Sequence, residues 1–301
     1  MRAVVTGGAG FIGSTLVDAL VMRGDEVHVV DDLSSGRREQ VHAGATIHVA
    51  DIREPLDGVF GDAEPEVVFH LAAQIDVRAS VADPVGDAHT NVLGTLRVLE
   101  AARAHGAQVV FASTGGAIYG ECDGPASESA ARLPLSPYGT SKLAAEEYLA
   151  TWNRLYGTRH VALRLGNVYG PRQDPHGEAG VVAIFLSRIR DGQPATIYGD
   201  GGQTRDYVFA GDVARAFVGA VGAEGGVFNV GTGEETSVVE LWQACLAAAG
   251  TAGEAVNGPE RLGELQRSCL DPRRAETVLH WRAEVPLAGG LRETWEWIRE
   301  E

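Results

Sequence analysis

Ala3-Val4-Val5-Thr6-Gly7-Gly8-Ala9-Gly10-Phe11-Ile12-Gly13 is an apolar β-branched run, a glycine turn and the start of an amphipathic segment. A GxxGxxG spacing at a strand-to-helix junction suits a dinucleotide. Gly7 and Gly10 permit the tight turn and bring a pyrophosphate up to the helix N-terminus, where unpaired N–H groups and the dipole favour an anion. Gly13 lets the helix pack closely on the strand. The next apolar run ends in Val29-Val30-Asp31-Asp32. A carboxylate at that spacing accepts hydrogen bonds from an adenosine ribose and repels a 2′-phosphate, so NAD is expected and not NADP. Arg37 and Arg38 lie past the strand end and are read as solvated.

Outward from this unit, short β-branched runs alternate with longer amphipathic segments as far as about Gly170. Strands are expected at 3–6, 26–30, 46–49, 66–69, 108–112 and 160–165, and helices at 11–23, 87–105 and 137–156. Alternation of this kind builds βαβ units, and strands with few polar positions are covered on both faces. The expected fold is therefore α/β, a doubly wound parallel sheet of the Rossmann type. Past Gly170 a Gly/Pro-containing stretch leads to a helix near 181–190 and short strands near Thr196 and Val227. We expect an NAD-binding domain over 1–170 and a smaller α/β substrate lobe over 171–301, with exchange of chain between lobes allowed. A ligand then sits in the cleft.

The 301 residues are 45% hydrophobic and 22% charged, the make-up of a globular chain and not of a disordered or fibrous one. Lys and Arg number 25 against 41 Asp and Glu, a formal charge of -16, so the long-range field repels nucleic acid and anionic lipid. Neither partner is expected. No window approaches a bilayer span and no signal-peptide pattern is present, so a cytoplasmic protein is expected. Three scattered cysteines, Cys122, Cys245 and Cys269, argue against a disulfide framework and against a metal site.

Ser136-Pro137-Tyr138-Gly139-Thr140-Ser141-Lys142 opens a helix, with Ser136 as N-cap and Pro137 in the first turn. A spacing of four puts Tyr138 and Lys142 on one helical face. An ammonium beside a phenol favours the phenolate, and the cation of a bound nicotinamide adds to this, giving a base for a sugar alcohol. Upstream, Ser113-Thr114-Gly115-Gly116 ends a strand with two hydroxyls, either of which can relay a proton or hold a substrate oxygen. Asp51-Ile52 and His70-Leu71-Ala72-Ala73 end two further strands at the same edge; His70 alone reads as a structural histidine.

Together these residues resemble the extended short-chain dehydrogenase/reductase family and, within it, the UDP-glucose 4-epimerase family. The likeness runs through Asp31-Asp32-Leu33-Ser34-Ser35-Gly36, His70-Leu71-Ala72-Ala73-Gln74, Asn91-Val92-Leu93-Gly94-Thr95, Leu163-Arg164-Leu165-Gly166-Asn167-Val168-Tyr169-Gly170-Pro171 and Gly199-Asp200-Gly201-Gly202-Gln203-Thr204-Arg205-Asp206-Tyr207-Val208. The resemblance implies a homodimer that epimerises a UDP-hexose at C4 through a transient 4-keto sugar. NAD is held by the glycine turn, the 31–36 segment, Asp51, Ile52, Leu71 to Gln74, Asn91, Tyr138 and Lys142. It implies Tyr138 as base, Lys142 as its electrostatic partner and Thr114 as the assisting hydroxyl. Relatives place that hydroxyl four residues before the tyrosine that here is Tyr119, which counts back to Gly115. Alignment from the strand side gives Thr114, with Ser113 as the alternative. Asn167 and Arg205 are implied at the diphosphate and Val181 and Val182 along the nucleotide. Thr196, Ile197 and Tyr198 are implied at the uracil, and Arg261 and Glu264 at the uridine ribose or phosphates. Ser268 aligns with a sugar-pocket position that is bulky in some relatives. Dehydratases and decarboxylases of the family carry acids where this chain has Gly115-Gly116. A UDP-glucuronate 4-epimerase keeps the same chemistry and stands as the alternative, using Arg78, Ser113 or Thr114 for the extra carboxylate. A non-catalytic NAD-binding regulator is the remote one.

Overall fold

Seven parallel strands form the central sheet: β1 (Arg2–Thr6), β2 (Glu26–Asp31), β3 (Thr46–Val49), β4 (Val67–His70), β5 (Gln108–Thr114), β6 (Val161–Leu165) and β7 (Gly226–Val230). Their order is β7-β6-β5-β4-β1-β2-β3. The computed structural model describes residues 1–175, 180–260 and 265–301. The main helices are α1 (Phe11–Met22), α2 (Thr95–His105), α3 (Pro137–Tyr156), α4 (Val181–Arg190), α5 (Ala210–Gly219), α6 (Val238–Ala249) and α7 (Leu287–Ile298).

Side chains of a strand alternate between faces, and here both faces are apolar. Ala3 and Val5 of β1 pack with Leu16, Val17 and Leu20 of α1 and with Val213 and Phe217 of α5. Val4 points the other way, into a core made with Leu99 of α2 and Leu149 of α3. The register aligns Thr6 with Val30 and His70, His70 with Phe111, and Thr114 with Leu165. All these carboxyl ends meet along one edge, with the chain reversing between β1 and β4. In a doubly wound sheet the ligand crevice lies there.

The chain past Gly170 divides its residues between two layers. The strand expected near Val227 is β7, which pairs with β6 and completes the main sheet, and α5 covers the same face as α1. The smaller lobe has its own core, in which Val182, Phe185, Ile197, Leu241, Trp242 and Leu291 are buried. No helix among the described residues is long and apolar enough to cross a membrane.

The single helix expected over 87–105 is broken. A short helix Pro84–Ala88 runs into a π-helical turn, His89–Gly94, and only then into α2. The wider turn carries buried Asn91 towards the loop after β4, and a Cβ on Gly94 would stand 2.8 Å from Ile52 Cδ1. Apolar periodicity does not register one extra residue per turn, and such bulges gather at functional sites.

Candidate active site

The glycine turn after β1 is shaped by backbone contact. Gly7 has φ +72°, and a Cβ there would lie 2.6 Å from the Ala72 nitrogen. A Cβ on Gly13 would lie 2.0 Å from the Gly7 carbonyl oxygen, whereas one on Gly10 would meet only that oxygen, at 3.3 Å. Gly10 is the N-cap of α1, no side chain caps that end, and its first turn holds no acid. The leading N–H groups of Phe11 and Ile12 are thus available to an anion above Gly10, so the turn fits a dinucleotide pyrophosphate.

Asp31 is buried, and its carboxylate accepts from the Ala9 and Leu33 N–H groups at 2.9 Å each, tying the glycine turn to the end of β2. Asp32 accepts from the Ser34 N–H at 2.9 Å and its hydroxyl at 2.6 Å; Ser35 is exposed, and Gly36 packs on Ala9. Asp51 forms a 2.6 Å ion pair with Arg53, whose hydrogen bonds hold the carboxyl below its ordinary value, and Ile52 is buried under Gly94. The Leu71 and Ala72 N–H groups donate to the Thr6 carbonyl and hydroxyl at 3.1 and 3.2 Å. Ala73 leads on to Gln74, whose N–H and carbonyl pair with the Asn91 amide at 2.9 and 2.8 Å.

His70 is structural. Thr95 Oγ1 donates to the Asn91 carbonyl at 2.7 Å and so accepts from His70 Nε2 at 3.0 Å. That leaves Nδ1 to accept from Thr6 Oγ1 at 2.7 Å. Burial, and then the charge of Lys142, push this imidazole down to about 3, so it stays neutral.

Ser136 Oγ accepts from the Gly139 N–H at 3.2 Å, and Pro137 begins α3, as the sequence predicts. Tyr138 is half-buried, and its N–H donates to Ser80 Oγ at 3.2 Å. Burial and then the charge of Asp87 push the phenol up to about 12, against the influence of the neighbouring Thr114 hydroxyl. Buried Lys142 donates from Nζ to the Ala112 carbonyl at 2.9 Å and stands 4.7 Å from the Phe111 ring centroid. Desolvation draws the ammonium down to about 8, while Asp87 and Glu146 oppose it. Among the side chains around the phenol, Thr114 is one that draws it down.

The two candidate hydroxyls occupy different surroundings. Ser113 donates to Glu146, and Glu146 holds Arg164 in a bidentate pair at 3.0 and 2.6 Å. Arg164, only 1% exposed, also donates to the Tyr119 hydroxyl at 2.7 Å, which donates to Asn229 at 2.8 Å. Sequence reasoning missed this network; an arginine inside the apolar run 161–165 was its signal, since such a charge needs a buried partner.

Across the crevice, Asn167 Oδ1 and Ser268 Oγ stand 3.8 and 3.9 Å from where a Cβ on Gly116 would be. Both therefore face the strand end that carries Thr114. Arg205 pairs in register with Ser268 and Thr236, and its Nη1 donates to the Thr204 carbonyl at 2.8 Å. Buried Asp206 anchors this part by accepting from Thr232, Gly233 and Leu270. In the strand Ala195–Tyr198, Thr196 is exposed and Tyr198 half-buried, but Ile197 points into the lobe core. Val181 begins α4, and Val182 is packed in the same core, so the side chains of Val182 and Ile197 are spent on packing. Arg261 and Glu264 lie outside the described residues.

Residues 3–231 match the model of the NAD dependent epimerase/dehydratase family. The chain is 50% identical to a UDP-glucose 4-epimerase of Mycolicibacterium smegmatis over 100% of this chain and 99% of that one. Among solved structures it is similar to the UDP-glucose 4-epimerase of Thermotoga maritima with UDP-glucose, with TM-score 0.96, 44% identity, and 100% and 99% of the two chains covered. It is likewise similar to that of Thermus thermophilus in complex with NAD, with TM-score 0.95, 48% identity and 99% of each chain covered. Identity of this order along the entire length reflects common descent, and the chain belongs to the NAD dependent epimerase/dehydratase family, within the extended short-chain dehydrogenases/reductases.

Proposed function

We propose that this chain is an NAD-dependent UDP-hexose 4-epimerase interconverting UDP-glucose and UDP-galactose. The observation that carries the reading is the Tyr138 phenol beside Thr114 at the end of β5, one helical turn from buried Lys142 and along the same sheet edge as the glycine turn. Bound NAD supplies the hydride acceptor and donor. Tyr138, bridged by Thr114, takes the proton of the sugar 4-hydroxyl as C4 is oxidised and returns it to the same oxygen when C4 of the turned 4-keto sugar is reduced on its other face. Lys142 supplies fixed positive charge beside the reacting oxygen. Asn167 and Arg205 hold the diphosphate, and with Thr196, Tyr198, Arg261 and Glu264 they anchor the nucleotide so that the sugar is free to turn over. Residues 1–170 with 207–231 and the segment 275–281 form the NAD layer, and the helices and strand at 181–198, 238–249 and 287–298 form the UDP-sugar lobe.

The glycine at 115 speaks against a dehydratase. A Cβ there would fall 2.5 Å from Leu270 Cδ2, so the volume an acid would need is filled by leucine. The UDP-glucuronate alternative is weakened because Ser113, one of the groups able to meet a C6 carboxylate, is bound to Glu146. Incubation with UDP-glucose, UDP-glucuronate and UDP-N-acetylglucosamine, with the C4 epimers resolved chromatographically, tests the reading. A highest kcat/KM on UDP-glucuronate overturns it.

The two hydroxyls separate in mutants. Thr114→Ala is expected to lower kcat by about 10- to 100-fold with little loss of stability. Ser113→Ala leaves Glu146 short of a donor and is expected to cost about 1–3 kcal/mol of stability with kcat nearly unchanged. Unfolding curves and initial rates read both, and the opposite assignment of effects makes Ser113 the active hydroxyl.

Exposed Val81, Val85, Leu93 and Leu155 lie on or beside the helical segments 77–105 and 137–156. We read this apolar surface as the seam of a homodimer. Sedimentation at a mass of one chain counts against it.

A further inference from the structure

Asp87 has no part in the reaction as described so far. It sits in the short helix Pro84–Ala88, which follows the Asp83 N-cap and lies against α3. It is 2% exposed. Its Oδ1 accepts from the uncharged amides of Asn91 at 2.9 Å and Gln74 at 3.0 Å, while Oδ2 is buried without a hydrogen-bond partner. A carboxylate in such surroundings is costly unless a charge faces it.

Across the interface with α3 the charge that Asp87 acts on is Lys142, itself buried, with the Ala112 carbonyl and the Phe111 ring as its close partners among the described residues. Tyr138, in the first turn of the same helix, also feels the Asp87 charge. The other ionisable groups around the pair are accounted for. Glu146 is bound to Arg164, His70 of β4 is neutral, Asp76 caps the helix Val77–Ala82, and Arg78 and Asp83 are exposed.

We propose that Asp87 is a positioning residue for the epimerisation, its buried carboxylate being the fixed negative charge against which Lys142 stays an ammonium and Tyr138 a phenol in the resting site. The proposal rests on Tyr138 as the base. Asp87 acts on both groups in one direction, since a negative charge favours the protonated form of each. Removing it lowers both. The acid limb of kcat/KM, where the base must ionise, and the alkaline limb, where the ammonium is lost, then move together to lower pH. Loss of one buried charge acting on both groups is worth on the order of one pH unit.

The test compares the pH dependence of kcat/KM on UDP-galactose for the NAD-loaded wild type, D87N, D87S and D87E, with unfolding curves on each. Asn keeps an acceptor oxygen and loses the charge, Ser loses the charge and draws its shorter acceptor back from Asn91 and Gln74, and Glu keeps the charge. The expected result is a profile displaced by about one unit to lower pH in D87N and D87S and nearly in place in D87E. A second measurement needs no turnover: the tyrosinate absorbance of each protein minus that of the same protein carrying Tyr138→Phe, titrated with base, falls to lower pH in D87N. Profiles that stay in place in D87N and D87S, with only stability or kcat reduced, overturn the proposal, as does a D87E profile displaced as far as that of D87N. If the wild type interconverts no UDP-hexose, the reading of Tyr138 as base fails and this one with it; a wild-type profile unmoved by D87N sinks this one alone.

Discussion

Tyr138→Phe is expected to lower kcat by about three orders of magnitude while NAD remains bound. The substitution deletes one oxygen, the one that stands beside Thr114 and is proposed to take the proton of the sugar 4-hydroxyl. What holds the surrounding fold stays in place: the Tyr138 N–H to Ser80, the Ser136 cap and the Lys142 bond to Ala112 do not involve the phenol. Because Tyr138 is half-buried and Thr114 can turn to water, the stability cost should be about 1 kcal/mol. The glycine turn between β1 and α1, where we place the pyrophosphate of NAD, does not involve this oxygen, so most of the contacts proposed for NAD are untouched. Two measurements suffice, the initial rate of UDP-galactose conversion and the NAD released on denaturing the purified protein. A mutant that turns over within tenfold of wild type would remove Tyr138 from the role of base.

Gly13→Ala is expected to abolish NAD retention and to cost about 1–3 kcal/mol of stability, although it adds a single methyl group. The methyl would stand 2.0 Å from the Gly7 carbonyl oxygen and 2.8 Å from its carbon, and neither belongs to a side chain that can swing away. The glycine turn must therefore shift, and with it the N–H groups that meet the pyrophosphate. Two neighbouring substitutions bracket the effect. Gly10→Ala meets protein only at 3.3 Å, so it should keep the melting temperature and lose NAD, because its methyl enters the space left for the ligand. Gly61→Ala, in the helix Asp57–Ala63 with no atom within 4 Å, should retain NAD and gain about 0.5–1 kcal/mol. Melting curves with NAD content after gel filtration read all three. A Gly13→Ala protein with wild-type melting and full NAD would mean the turn is not the cradle.

Where sequence and structure agree, the cause is local. The strand at Thr46–Val49 and the helices Pro137–Tyr156 and Val181–Arg190 fall where the residues place them. For α3 the reasons are a serine cap, a proline in the first turn and Gly157 at the end, all within reach of the backbone they affect. Periodicity told less at 87–105, because the π-turn exists to seat Gly94 against Ile52 and to swing Asn91 towards Gln74, contacts made with residues distant in the chain.

The same distinction runs through the site. Residue type and spacing alone picked out Tyr138, Lys142, the glycine turn and Asp31, because a helical repeat or one strand-to-helix junction creates those neighbours. Choosing between Ser113 and Thr114 needed the fold. One points to Glu146, 33 residues away, and the other to Tyr138, and strand alternation says that they differ without saying which is which. Likewise Tyr119 and Asn229 meet across 110 residues, and Asp87 comes within electrostatic reach of Lys142 only because two helices pack.

The order of residues by itself determined the doubly wound layout, the dinucleotide turn and the helical face carrying the phenol and the ammonium, since each follows from backbone geometry acting over a few residues. Only the tertiary structure decided that β7 returns to complete the sheet, which hydroxyl stands beside the phenol and which buried charges surround it, since those depend on which distant side chains share one low-dielectric space.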